Sequence, residues 1–156
     1  MLDDRVQAQV RRELQQLERL LSEYHELIEA SRIKEPNLVE YTALGAVLQS
    51  FYNGVENIFQ TIAKRIDGQV PVGEAWHKDL LLQMGHKTES RTPVISQATV
   101  ERLQPYLGFR HVSRHAYTFV LEWSKMQKLV WELRDVLGIV QADVESFLEA
   151  TIKRRK

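Results

Sequence analysis

Apolar positions recur along this chain at three- and four-residue steps, the period of one face of an α-helix. Val6, Val10, Leu14, Leu17, Leu21, Tyr24 and Ile28 form the first such stripe and predict a helix over residues 3–31, with Arg11, Arg12, Gln15, Gln16 and Glu18 on its other face. Glu35-Pro36-Asn37 breaks the pattern. A second stripe, Tyr41, Leu44, Leu48, Phe51, Val55, Ile58, Ile62 and Ile66, predicts a helix over residues 37–66. Gly45 and Gly54 interrupt it, each at a cost of about 1 kcal/mol relative to alanine, which points to a close approach by a neighbouring helix. Residues 67–71 read as a turn, and Trp76, Leu80 and Met84 mark a short helix over residues 73–84. After a polar loop at 85–91, Thr92 followed by Pro93 reads as a capping hydroxyl and a first-turn proline. The helix they open carries Ile95, Ala98, Leu103 and Leu107, and Pro105 and Gly108 are expected to end or kink it. Residues 109–122 are the least regular stretch. Met126, Val130, Leu133, Leu137, Val140, Val144 and Phe147 then define a last helix over residues 123–152.

No alternation of the β type and no internal repeat appears. The expected fold is all-α, a single domain over residues 1–156 in which four or five helices pack in a mostly antiparallel bundle. Composition supports this: 44% apolar and 27% charged residues suit one globular core, and seven Gly and four Pro are few for a loop-rich β-protein. The chain has no cysteine, which excludes disulfide and thiolate chemistry and suits a reducing compartment. No segment approaches the ~20 apolar residues that span a bilayer, and the N-terminus shows no secretory pattern. The expected location is cytoplasmic, with no membrane association.

Net charge is zero, from 21 basic and 21 acidic side chains, which argues against a surface that coats nucleic acid. The distribution is uneven. Residues 1–40 carry six basic and nine acidic side chains, whereas residues 101–128 carry five basic (Arg102, Arg110, Arg114, Lys125, Lys128) and two acidic. The tail Lys153-Arg154-Arg155-Lys156 is also basic. A local anion site fits this distribution.

The basic stretch contains the chain's candidate chemistry. Arg110, His115 and Tyr117 lie close together, with His111 and Arg114 between them. A neutral imidazole can take the proton from a ribose 2′-hydroxyl, whose oxygen then attacks the adjacent phosphate. A guanidinium can fork onto the phosphate oxygens and stabilise the charge that builds there.

Arg110-x4-His115-x-Tyr117 resembles the Arg-x4-His-x-Tyr signature of HepT toxins in the HEPN superfamily. Ser50-Phe51-Tyr52-Asn53-Gly54-Val55-Glu56-Asn57-Ile58 resembles the second-helix segment of the same proteins. The resemblance implies a HEPN-like bundle and a metal-independent endoribonuclease that dimerises so that two motifs face a shared cleft. It also implies a partner, an MntA-type nucleotidyltransferase antitoxin that transfers AMP to the motif tyrosine. Carried onto this chain, Arg110 binds the phosphate, His115 is the acid/base and Tyr117 is the acceptor. The expected partners are RNA, the antitoxin and a second copy of the chain, with no cofactor and no metal.

Other readings stand beside these. Arg110 and His115 can also be read as a surface arginine and a packed histidine at a helix junction, and Tyr117 as a core aromatic with its hydroxyl at the rim. His111 and His115, four apart, have the spacing of two metal ligands on one helix face, but no third ligand is evident nearby. Either His111 or Arg114 could assist phosphate binding. Arg19 and His25 satisfy a looser form of the motif inside a regular amphipathic helix and read as a decoy. His25, His77 and His86 read as plain surface or junction residues, Trp76, Trp123 and Trp131 as core or interface aromatics. Glu56 and Asn57 lie mid-helix, in a position to face the motif. Besides the nuclease, a non-catalytic bundle that binds a nucleotidyltransferase is a second reading. A plain structural bundle is a third, favoured if Arg110 lies buried against an acidic partner.

Overall fold

A computed structural model describes residues 3–117 and 120–155, with side chains described through Thr151. Six α-helices and one π-helical turn account for about three quarters of the described chain: α1 (Asp4–Glu23), α2 (His25–Ala30), α3 (Leu38–Ile62), the π turn (Ala63–Asp67), α4 (Trp76–Met84), α5 (Gln97–His115) and α6 (Trp123–Arg155). Side chains of the basic tail lie outside the described residues. Among the described residues there is no strand, only an isolated bridge between Thr88 and Arg91, and no helix is long and apolar enough to cross a membrane.

The long helices start where local chemistry satisfies their free N–H groups. Asp3 Oδ1 accepts from Val6 N–H at 2.9 Å. That bond holds the Asp3 carboxyl below its ordinary range, because it favours the ionised form. Asn37 and Glu40 form a reciprocal capping box at the start of α3, with bonds of 2.9 and 3.0 Å.

Side-chain pairs fix the packing directions. Gln9 bonds Thr61, and Leu17 lies against Gly54, so α1 and α3 run antiparallel. Asn53 meets Arg110 and Gln49 meets Ser113, which makes α3 and α5 antiparallel. Arg11 pairs with Glu145 and Glu18 with Arg134, setting α1 against α6. Thr99 bonds Asp143 and Tyr106 bonds the Leu129 carbonyl, setting α5 against α6. The result is a four-helix bundle of α1, α3, α5 and α6, with α4 packed on α3 and α5. Helix α3 sits at the centre. Leu44, Leu48, Phe51, Val55, Ile58, Phe59 and Ile62 are all buried on it, and the remaining core comes from the apolar stripes of its neighbours.

The structure departs from the sequence expectations in three places. The first helix is not continuous: the chain turns at Tyr24 (φ −106°, ψ 11°), which leaves that tyrosine partly exposed while Ile28 re-enters the core. With α2 separate, the described residues form six helices, of which the four long ones make the expected bundle. The third long helix does not begin at Thr92-Pro93. Val94 and Ile95 both donate their N–H groups to the Met84 carbonyl, which ties that segment to the end of α4, and Ser96 caps α5 instead by accepting from Thr99 N–H. As a result Ala98 is exposed, and Thr99 and Val100 take the core positions. Finally, α5 runs through Pro105 and Gly108 to His115. Both residues lie on its exposed side, where water can bond the carbonyl that Pro105 leaves unpaired. The stretch from residue 109 to 115 is therefore helical, not irregular.

Candidate catalytic groove

Helix α3 is apolar almost all round, yet it carries Gln49, Asn53 and Glu56 at steps of four and three. That spacing puts the three polar side chains on one stripe, and the stripe faces α5. Gln49 Nε2 donates to Ser113 Oγ at 2.6 Å, and Ser113 Oγ donates to the Arg110 carbonyl at 3.2 Å. Arg110 Nε donates to Asn53 Oδ1 at 2.6 Å. Arg110 Nη2 lies 3.8 Å from Glu56 Oε1, close enough for Coulombic attraction but too long for a hydrogen bond. Asn53 therefore orients the guanidinium and Glu56 balances its charge without forking onto it. The side chains of Arg110 and Glu56 are 13% and 7% exposed.

From α4 comes a residue that sequence reasoning had set aside. His77 Nδ1 lies 2.7 Å from Glu56 Oε2 and 3.3 Å from Arg110 Nη1. Since Glu56 can only accept, the short contact assigns the Nδ1 proton to a bond toward the carboxylate, and the Arg110 contact is then simple proximity. The ring stacks on Trp76, centroids 3.6 Å apart and planes 28° apart. His77 is thus no plain surface histidine but part of a cluster of Asn53, Glu56, His77 and Arg110. Trp76, expected in the core or at an interface, is only partly buried and acts as the stacking platform.

This cluster opens onto a groove of about 420 Å³ between α4 and α5. Gln104, Leu107, Gly108, His111 and His115 line it from one stripe of α5, Arg110 and Arg114 flank that stripe, and Glu74, Ala75, His77 and Lys78 form the opposite wall. Its cationic residues Lys78, Arg110 and Arg114 outweigh Glu74 and the Glu56 carboxylate beside Arg110, so a neutral protein carries a locally basic cleft. Arg110, His111, Arg114 and His115 therefore share one groove. His111 and His115 sit edge to face with centroids 5.5 Å apart. Among the described residues no group of three His, Asp or Glu side chains is placed to hold a metal ion. Tyr117 follows the end of α5 and is 75% exposed, a position at odds with a core aromatic.

The sequence model of the HepT-like protein family matches residues 43–151. The chain belongs to the HepT-like family. The match runs from α3 into α6 and so includes every side chain of the cluster and groove, as expected of a member of the HEPN superfamily. No curated protein and no solved structure matches the chain. Within this HepT-like bundle, Glu56 meets the motif arginine as its mid-helix position allowed, whereas the residue beside it that bonds Arg110 is Asn53, and Asn57 is exposed. His77 carried no sequence signal beyond its residue type.

The core behind the site is buried. Tyr52, on α3 near Glu56 and Arg110, has its phenol pushed well above the usual range, chiefly by burial and then by the Glu56 carboxylate. It stays protonated at any working pH and serves as packing. Glu56 therefore faces the groove through Arg110 and His77, with apolar packing behind it.

Proposed function

We propose that this HepT-like protein is an endoribonuclease toxin of a toxin–antitoxin pair that cleaves RNA through Arg110 and His115 without a metal ion. The observation that carries the reading is Arg110 held by Asn53 at the wall of a basic groove that His115 also lines. Nη1 and Nη2 of Arg110 make no hydrogen bond as short as that of Nε, so they remain available to fork onto a phosphate. His115, exposed at the end of α5, can exchange protons with substrate or water. The reaction is attack of a ribose 2′-oxygen on its own phosphate, leaving a cyclic phosphate and a free 5′-hydroxyl. His111 and Arg114 add weaker phosphate contacts from the same helix.

A homodimer would place two such grooves side by side. A nucleotidyltransferase antitoxin of the MntA type would silence the toxin by transferring AMP to Tyr117, whose exposure makes it accessible. The added bulk and charge at the end of α5 would block the groove and repel RNA.

The test is direct. Purified protein is incubated with total RNA in EDTA, beside the variants His115→Ala and Arg110→Ala. The expected result is cleavage by the wild type, ends bearing a cyclic phosphate, and loss of cleavage in both variants. A magnesium requirement, or full activity in His115→Ala, would overturn the mechanism. The ion pair between the largely buried Arg110 and Glu56 favours the plain structural bundle, in which the cluster only holds α3 to α5; a bundle that only binds a nucleotidyltransferase is compatible with it too. Expression without the partner separates the nuclease from both: the nuclease arrests growth and a non-catalytic bundle does not.

A further inference from the structure

We infer that His77, held by Glu56, is a second proton-transfer residue of the groove, so that one chain supplies both the base and the acid of RNA cleavage. The inference rests on the ribonuclease reading and adds a residue outside the Arg-x4-His-x-Tyr motif. Transphosphorylation needs two proton transfers, one from the attacking 2′-hydroxyl and one to the departing 5′-oxygen. The motif supplies one histidine per chain for this work. The fold supplies another.

Three features distinguish His77 from a packing histidine. Its Nδ1 is bound at 2.7 Å by a carboxylate that is itself 7% exposed, the carboxylate–imidazole arrangement that fixes a tautomer and leaves Nε2 with a lone pair. Trp76 stacks on the ring and braces it in this orientation. It also lines the groove beside the guanidinium that would bind the phosphate, with Nδ1 only 3.3 Å from Arg110 Nη1. A phosphodiester on Arg110 would lie within reach of this ring. His111 and His115 do not share these constraints: both are exposed on the last turns of α5, and neither is bonded to a carboxylate.

The assignment follows. His77 Nε2 takes the 2′-hydroxyl proton as the bond from the 2′-oxygen to phosphorus forms. His115 gives a proton to the 5′-oxygen as its bond to phosphorus breaks. One proton is gained and one lost, and exchange with water resets both rings.

The experiment compares cleavage, in EDTA, of a short RNA with that of the same RNA carrying sulfur in place of the scissile 5′-oxygen. Sulfur leaves without a proton and so removes the need for the acid. His77→Ala should lose about 10²-fold or more on ordinary RNA and remain as impaired on the thio substrate. His115→Ala should recover on it. His77→Gln, whose amide can still donate to Glu56, should be as inactive as His77→Ala, with a wild-type helical circular dichroism spectrum for both. Three results would overturn the inference while leaving the nuclease intact: His77→Ala cleaving ordinary RNA within a few-fold of wild type, His77→Gln restoring activity, or rescue of His77→Ala by the thio substrate. Absence of cleavage by the wild type would remove the underlying ribonuclease reading, and this inference with it.

Discussion

At the scale of single residues, Arg110 carries two demands that pull in different directions. To be held in place it needs partners, and to bind a phosphate it needs free donors. The bond from Nε to Asn53 at 2.6 Å answers the first demand. The 3.8 Å separation from Glu56 answers the second, by leaving the outer nitrogens loosely engaged. Lysine in this place would keep the charge and lose both the Nε donor and the planar fork. Arg110→Lys should therefore fold, with a melting temperature near that of the wild type. Its RNA cleavage should fall by about 10²–10³-fold, as when one donor to a developing oxyanion is removed. Cleavage kinetics on a defined RNA, with melting curves beside them, check this. Retention of most of the activity would show that charge alone serves.

At the scale of elements, two contacts fix the packing, one behind the site and one at α4. Gly54 lets α1 lie close on α3: a Cβ built there would stand 2.5 Å from Leu17 Cδ2 and 3.0 Å from Leu17 Cγ. Gly54→Ala would gain about 1 kcal/mol of helix propensity and lose about 1–3 kcal/mol to overpacking of the buried Leu17. A net loss of up to about 2 kcal/mol is expected, seen as a lower urea midpoint. The second contact is the clamp between the π turn and the loop after α4. Arg91 Nε and Nη2 bond the two carboxylate oxygens of Asp67 at 2.6 and 2.8 Å, and its remaining donors reach the carbonyls of His86, Thr92 and Gln83. Both side chains are buried, so removing Asp67 leaves the Arg91 charge without its counter-charge, held only by neutral carbonyls. Asp67→Ala should cost about 3–5 kcal/mol, read from the same denaturation curves. The clamp secures the far end of α4, whose first turn carries His77, so this variant should lose activity along with stability.

At the scale of the whole molecule, charge decides how RNA would be held. Net charge is zero, and Lys78, Arg110 and Arg114 line one groove. With Lys78, Arg110 and Arg114 neutralising about three phosphates, the logarithm of RNA affinity should fall with the logarithm of salt at a slope of about −2. Anisotropy titrations of the His115→Ala variant with single-stranded RNA measure this. A slope several times steeper would mean that RNA wraps a much wider surface than the groove. Such limited electrostatic attraction leaves specificity to shape and to contacts within the cleft.

The sequence by itself determined the fold class, the buried stripes of the long helices, the close approach at Gly54 and the letters of the motif. These are local properties: a 3.6-residue period, a missing side chain and a short spacing are all written within a few turns of helix. It did not determine how α5 begins or whether it survives Pro105 and Gly108. Those outcomes depended on Val94 and Ile95 being tied to the Met84 carbonyl and on both helix-breaking residues meeting solvent. Nor could it assemble the site. Asn53, His77 and Arg110 are separated by dozens of residues, and only the packing of α3, α4 and α5 brings them to Glu56. Periodicity says which face of a helix turns inward. Which polar side chain waits on the other side is decided by the neighbour that the tertiary structure places there.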